Sequence, residues 1–424
     1  MVGEPSGSCI MKLNLTSLIF SIIFVLGTFY IITPLQILFG SNPQLILISI
    51  YSTTILWFLF TETSVYIRIF NSRYVFLIIA LVLNFLMIRS SYSIRELGTS
   101  LALLPIIFSR RVGIKNIINL VMILNITFLL LTSIIEVYNY LGFLDLDKWD
   151  VTNLPWISEE SNIFARQSRS RVCFFNPFLI SFMEYIGTVS DCLDVDYRQV
   201  NFFWIEPTGV IYSSSFLLLS YATGLFKSVK INLCILFVMN FISRTASGIG
   251  SFLIIIVLRC FSKISIFSIP KIFKYILGLL LAPLTIIILL KLIQNYYPEK
   301  SEASSVIFYI IRNFFNNLTL FGDKGLTLSA SYGYGRTVYF GSTAVPLQYG
   351  IVGFVAWIIT YIPFFVRSFA FIGLNNTNKD IKALFAYCAL LLSSLMLLRQ
   401  NTLFTPAVIL IGEYVQMKFP IEKQ

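Results

Sequence analysis

"PLQYGIVGFVAWIITYIPFFVR", from Pro346 to Arg367, carries no charge before its last residue. A run of that length matches what a helix needs to cross the hydrocarbon of a bilayer, about 17 to 25 residues. The chain around it has the same character. Of its 424 residues, 57% are hydrophobic and 12% charged, with a mean hydropathy of +0.82, whereas an ordinary soluble domain has roughly a quarter charged residues. The composition predicts an all-α polytopic integral membrane protein, with 1–424 forming a single membrane domain.

Further apolar runs place about twelve spans by the same criterion. They begin near Leu13, Gln44, Tyr74, Gly98, Asn116, Thr208, Ile231, Gly248, Ile272, Pro346, Ala383 and Thr402. The run at Gly98 is short and contains Pro105. The opening MVGEPSGSC has neither a basic segment nor a small-residue cleavage site joined to it, so no removable signal peptide is expected. The first span then acts as an uncleaved signal anchor, with Met11, before Lys12, as an alternative start. The six cysteines contain no CxxC pair, which argues against a zinc site or a disulfide framework. Cys173 and Cys192 fall in one expected external segment, where an oxidising compartment would allow them to pair.

If the N-terminus is cytoplasmic, alternate connections should be rich in Lys and Arg. They are: Arg68 and Arg73; Arg110, Arg111 and Lys115; Lys227 and Lys230; Arg259, Lys263, Lys271 and Lys274; Arg367, Lys379 and Lys382; and finally Lys418 and Lys423. Both termini are cytoplasmic in this reading. The formal net charge of +11 is then a signal of topology, and no nucleic-acid partner is expected.

Two long connections fall on the opposite face, 144–207 and 297–345, far beyond the two to eight residues usual between helices. The first is rich in Asp, Glu and Arg, and its apolar centre, "VCFFNPFLISFMEYIG", is interrupted by Pro177 and Glu184. That pattern suggests a re-entrant or interfacial helix more than a span. The second holds Glu302, Asp323, Lys324 and Arg336, with "SASYGYGRTVYFGS" at its core.

In "FISRTASGIGSFLIII", Arg244 sits at the external turn between two spans, among small residues. It can snorkel to lipid headgroups, or it can face a polar cavity and hold an anion. The external face favours Arg over Lys, and Arg is the side chain suited to a bidentate grip on phosphate. "TASGIG" can open a helix whose free N–H groups point at an anion. An external diphosphate at membrane level fits this pattern. In "YRQVNFFWIEPTGV", Arg198 and Glu206 precede a span, and Pro207 is suited to starting its helix. Glu206 can complement the helix dipole, or it can accept a proton from a sugar hydroxyl in a partly dry cleft. Phe202, Phe203 and Trp204 are belt residues at the interface, or a stacking surface for a sugar.

"SRTASG" between two spans, "IEP" at the entry to an earlier one, and "YGYGR...PLQYGIVGF" leading into a late one resemble the O-antigen (oligosaccharide repeat-unit) polymerases, a pattern shared with the related O-antigen ligases. The resemblance covers motifs in the C-terminal half and the whole hydropathy profile. It implies a GT-C-like glycosyltransferase of the bacterial inner membrane with its site on the periplasmic side. Its substrates would be undecaprenyl-diphosphate-linked oligosaccharides, with membrane lipids around it and a polysaccharide chain-length regulator as a further partner. No metal, nucleotide sugar or other cofactor is implied. Carried onto this chain, Arg244 matches the family's diphosphate-contacting arginine and Arg336 the loop arginine, with Arg198 a weaker match.

The chain contains no histidine. The ligase branch places a functional histidine just before the late span, where this sequence reads "YFGSTAVPLQYG", so the departure favours polymerase over ligase. It also excludes a histidine base and a histidine-ligated metal. Glu206 is then the first choice of base, ahead of Asp323 and Glu302. A lipid-linked oligosaccharide flippase or other transporter is the alternative, but that class is expected to carry ionisable residues at mid-span and internal repetition. Neither is evident. A purely structural subunit leaves the two charged loops unexplained, and the absence of a GxxxxGK loop argues against ATP-driven transport by this chain.

Overall fold

A computed structural model of the chain describes residues 15–29, 43–89, 91–124, 210–233, 318–322, 341–374, 380–397 and 402–420. Helices dominate the described residues, which contain no strand. In chain order they are α1 (Leu15–Phe29), α2 (Pro43–Thr61), α3 (Ser64–Phe70), α4 (Tyr74–Ile88), α5 (Ser91–Phe108), α6 (Ile114–Leu124), α7 (Val210–Thr223), α8 (Gly341–Leu374), α9 (Ile381–Met396) and α10 (Pro406–Lys418). Within α8, Val345–Ile372 is long and apolar enough to cross a membrane. The expected spans at Gly248 and Ile272, and all but the start of that at Ile231, lie outside the described residues.

Two helices differ from the sequence expectation for physical reasons. Arg68 belongs to a short helix, α3, bent by 84° from α4; Val65, Tyr66 and Ile69 draw it onto the core. The run expected from Gly98 starts earlier, at Ser91, and continues through Pro105. Proline removes the hydrogen bond to the carbonyl four residues before it. That carbonyl, Leu101 O, lies 3.4 Å from the Tyr66 hydroxyl, a side-chain substitute of the kind that keeps a proline inside a helix.

α8 is the central element. It packs against α4 and α9, and α9 packs in turn against α7 and α10. Aromatic contacts fix the directions. Phe371, near the end of α8, stacks on Tyr387 of α9 at 4.0 Å, and Tyr221, near the end of α7, meets Phe385 of α9 at 4.9 Å. Both helices therefore run antiparallel to α9. The Tyr387 hydroxyl donates to Phe419 O (2.7 Å), and Arg73 pairs with Glu413 at 3.3 Å. The ends of α7, α8 and α10 thus meet the starts of α4 and α9 at one end, where Lys227, Lys230, Arg367, Lys382 and Lys418 are all exposed.

Gly412 lets α10 approach α8. A Cβ there would stand 2.3 Å from the fully buried Phe364 ring, which also carries the Arg73 guanidinium 4.1 Å from its centroid. Gly412→Ala is expected to lower stability by about 1 to 3 kcal/mol, the usual consequence of overpacking. A melting temperature in detergent equal to that of the wild type would contradict this.

Candidate functional site

At the opposite end α8 is interrupted. Gly350 adopts φ +71°, a left-handed conformation that favours glycine. The segment 318–322 lies against the break. Gly322 has φ +90°, and a Cβ on it would fall 2.1 Å from Gln348 O; a Cβ on Gly350 would fall 2.3 Å from Gly322 N. Two backbones therefore touch directly, and only glycine on both sides permits it.

Breaking a helix frees N–H and C=O groups that must find partners. Here the Ile351 N–H donates to Thr319 O (3.0 Å) and the Val352 N–H to Leu320 O (3.2 Å). The Asn84 amide, from α4, donates to Gln348 O at 3.1 Å and to Phe321 O. Ser93, on α5, donates in turn to Asn84 Oδ1, which fixes the orientation of the amide.

One residue before the break, the Tyr349 hydroxyl donates to Glu96 Oε1 at 2.5 Å. Glu96 is 8% exposed, and its other oxygen accepts the N–H groups of Leu403 (2.9 Å) and Phe404 (3.0 Å). A buried carboxylate is tolerable only when it is hydrogen-bonded, and three protein donors meet that need. The Tyr361 hydroxyl completes the clasp. It accepts from Thr405 N at 2.8 Å and donates to Leu403 O at 3.2 Å. This network fixes the turn between α9 and α10 to α5 and α8, so Glu96 acts as an anchor of the scaffold. Among the described residues, no group of three or more Cys, Asp or Glu forms a metal-binding cluster.

Arg198, Glu206, Arg244 and Arg336 lie outside the described residues, as do Glu302, Asp323, Cys173, Cys192 and the expected re-entrant segment. The helices that follow three of them are described. α7 starts four residues after Glu206, and α8 starts five residues after Arg336. Because α7 runs antiparallel to α9, its first residues lie toward the end that holds Gly350 and Glu96, and the first turns of α8 lead directly into Gly350. Arg89 and Arg95 are exposed at that end as well. Sequence reading missed Asn84, Ser93 and Glu96. The signal for Glu96 was a lone acid just before an apolar run, in "SIRELGTSLALL".

No protein-family model matches the chain, and neither a curated protein nor a solved structure matches it. The described residues define a class: an all-helical protein with one helix apolar and long enough to span a membrane. A broken helix and a buried polar anchor stand at one of its ends.

Proposed function

We propose that the protein is an O-antigen-type repeat-unit polymerase, a metal-independent glycosyltransferase embedded in the bacterial inner membrane by about twelve spans. In this reading the basic end is cytoplasmic, and the end bearing Gly350 and Glu96 is periplasmic. The observation that carries the reading is the shared direction of α7 and α8. Glu206 stands four residues before α7 in the sequence, and Arg336 five residues before α8. In sequence, Arg198 and Glu206 precede α7 and Arg336 precedes α8, which supports a shared role for them. Val355, Ile358, Ile362 and Val366 also form an exposed apolar stripe along α8, a natural surface for lipid and a liability in water.

The chemistry follows from the charges. The acceptor is the non-reducing-end hydroxyl of one lipid-linked repeat unit, and the donor is the growing glycan on undecaprenyl diphosphate. The hydroxyl oxygen bonds to the donor's anomeric carbon as the bond from that carbon to the diphosphate oxygen breaks. The hydroxyl proton passes to Glu206, and the diphosphate leaves with its electron pair. Arg244 and Arg336, with Arg198, hold the diphosphate and stabilise the charge that grows on it.

A lipopolysaccharide ladder from a strain deleted for the gene tests the reading. Deletion should leave core plus a single repeat, and the wild-type gene should restore the ladder. A core with no repeat at all would instead point to a ligase or a flippase. Glu206→Gln is expected to reduce chain growth about 10²- to 10⁴-fold, the range for loss of a positioned base. A normal ladder from that variant would remove the base assignment alone.

A further inference from the structure

α3 lies across the start of α4 at 84°, and it is apolar on two faces. Val65, Tyr66 and Ile69 are buried, whereas Ile67 is 61% exposed and Phe70 49%. Phe60, at the end of α2, is 85% exposed. A helix that is apolar on both sides normally has something other than water on each.

Cations are fixed beside it. Glu62 pairs with Arg68 at 3.5 Å and accepts from the Ser109 hydroxyl at 2.8 Å, while Ser109 Oγ accepts from the Arg111 N–H at 3.1 Å. Glu62 thus joins α3 to the turn that carries Arg110 and Arg111, both exposed, with Lys115 exposed just beyond. Trp57 lies under the Arg111 guanidinium, 5.9 Å from ring to charge. A tryptophan beside basic residues is the usual composition of a membrane–water boundary.

We propose that α3 is an in-plane surface helix. Phe60, Ile67 and Phe70 sink to the boundary between headgroups and acyl chains, and Arg110, Arg111 and Lys115 take the phosphates of anionic phospholipids. Charge complementarity selects this occupant, because an anionic leaflet attracts basic residues held at its surface. An in-plane helix anchored by apolar side chains on one side and cations beside it is a recognised mode of attachment. The inference rests on the membrane reading and is independent of the polymerase chemistry.

The test uses the full-length protein with Ile67→Cys, Phe70→Cys or Lys382→Cys, reconstituted in vesicles of phosphatidylethanolamine and phosphatidylglycerol. The rate of N-ethylmaleimide labelling above the wild-type background is the readout. Ile67 and Phe70 are exposed, so their replacement leaves the core intact. Cysteine at 67 and 70 should react roughly tenfold more slowly than at 382, since the reactive thiolate forms only where water reaches the sulfur. Equal rates at all three positions overturn the proposal. Protection present in native membranes but absent from the vesicles also overturns it, because a protein partner would then be what covers α3. An unchanged ratio in neutral phosphatidylcholine vesicles removes the role of the cations. Release of the protein from membranes by alkaline carbonate is a separate result, and it defeats the membrane reading itself.

Discussion

Alanine at Arg244 is expected to abolish the lipopolysaccharide ladder while the protein remains in the membrane at its normal level. The proposed reaction expels a diphosphate, so negative charge accumulates on the leaving group at the moment the glycosidic bond shifts. A guanidinium meets two phosphate oxygens at once in a fixed plane. Removing one such preorganised donor typically lowers a rate 10²- to 10³-fold, about 3 to 4 kcal/mol. Chain growth repeats the step at every addition, so a slowdown of that size leaves little beyond a single repeat. Arg244→Lys separates charge from geometry: the charge survives and the two-pronged grip does not. A short, weak ladder is expected from it. If Arg244→Ala instead gives a full ladder, the arginine only meets lipid headgroups, and the diphosphate clamp must be sought at Arg336.

The parts of the fold that were legible in sequence are those decided by the edges of apolar runs. The run beginning at Tyr74 becomes a helix from Tyr74, and the run placed at Ala383 lies in a helix from Ile381. Arg73 and Lys382 mark where the apolar stretches stop, and the second helix starts slightly earlier because the Asp380 side chain caps it by accepting from the Lys382 N–H. Legibility failed where a residue's partner is remote in the chain. Ser93 and Glu96 read as polar residues ahead of a span, yet α5 includes them because Asn84 and Tyr349 supply their hydrogen bonds. Tyr349 lies 253 positions from Glu96, and Phe404 lies 308. No local pattern encodes such a pairing. "PLQYGIVGF" likewise reads as one unbroken run. Gly350 breaks it only because the segment 318–322 stands ready to take the freed N–H groups. The proposed roles of Arg198, Glu206, Arg244 and Arg336 rest on the sequence reading, whereas the broken helix and the Glu96 network rest on the structure.

Glu96 provides the sharpest test of that scaffold. Glu96→Ala removes the acceptor of three buried donors, the Tyr349 hydroxyl and the N–H groups of Leu403 and Phe404. Each buried donor left without a partner costs about 1 to 3 kcal/mol, and water entering the new space recovers part of it. A net destabilisation of about 3 to 5 kcal/mol is therefore expected, a large share of the stability of an ordinary domain. Glu96→Gln should be far milder, about 1 kcal/mol. Its amide oxygen can accept both backbone N–H groups, and its NH₂ can donate to the tyrosine oxygen. Thermal unfolding of the purified proteins in one detergent decides between two accounts of the site. If the alanine variant melts far below the glutamine variant, the hydrogen bonds hold the α9–α10 turn in place. If the two fall equally, the negative charge itself is what the site requires, and a cation must stand closer to Glu96 than the scaffold account allows. The double variant with Tyr349→Phe completes the comparison. Its loss should be smaller than the sum of the two single losses, because both remove the same bond.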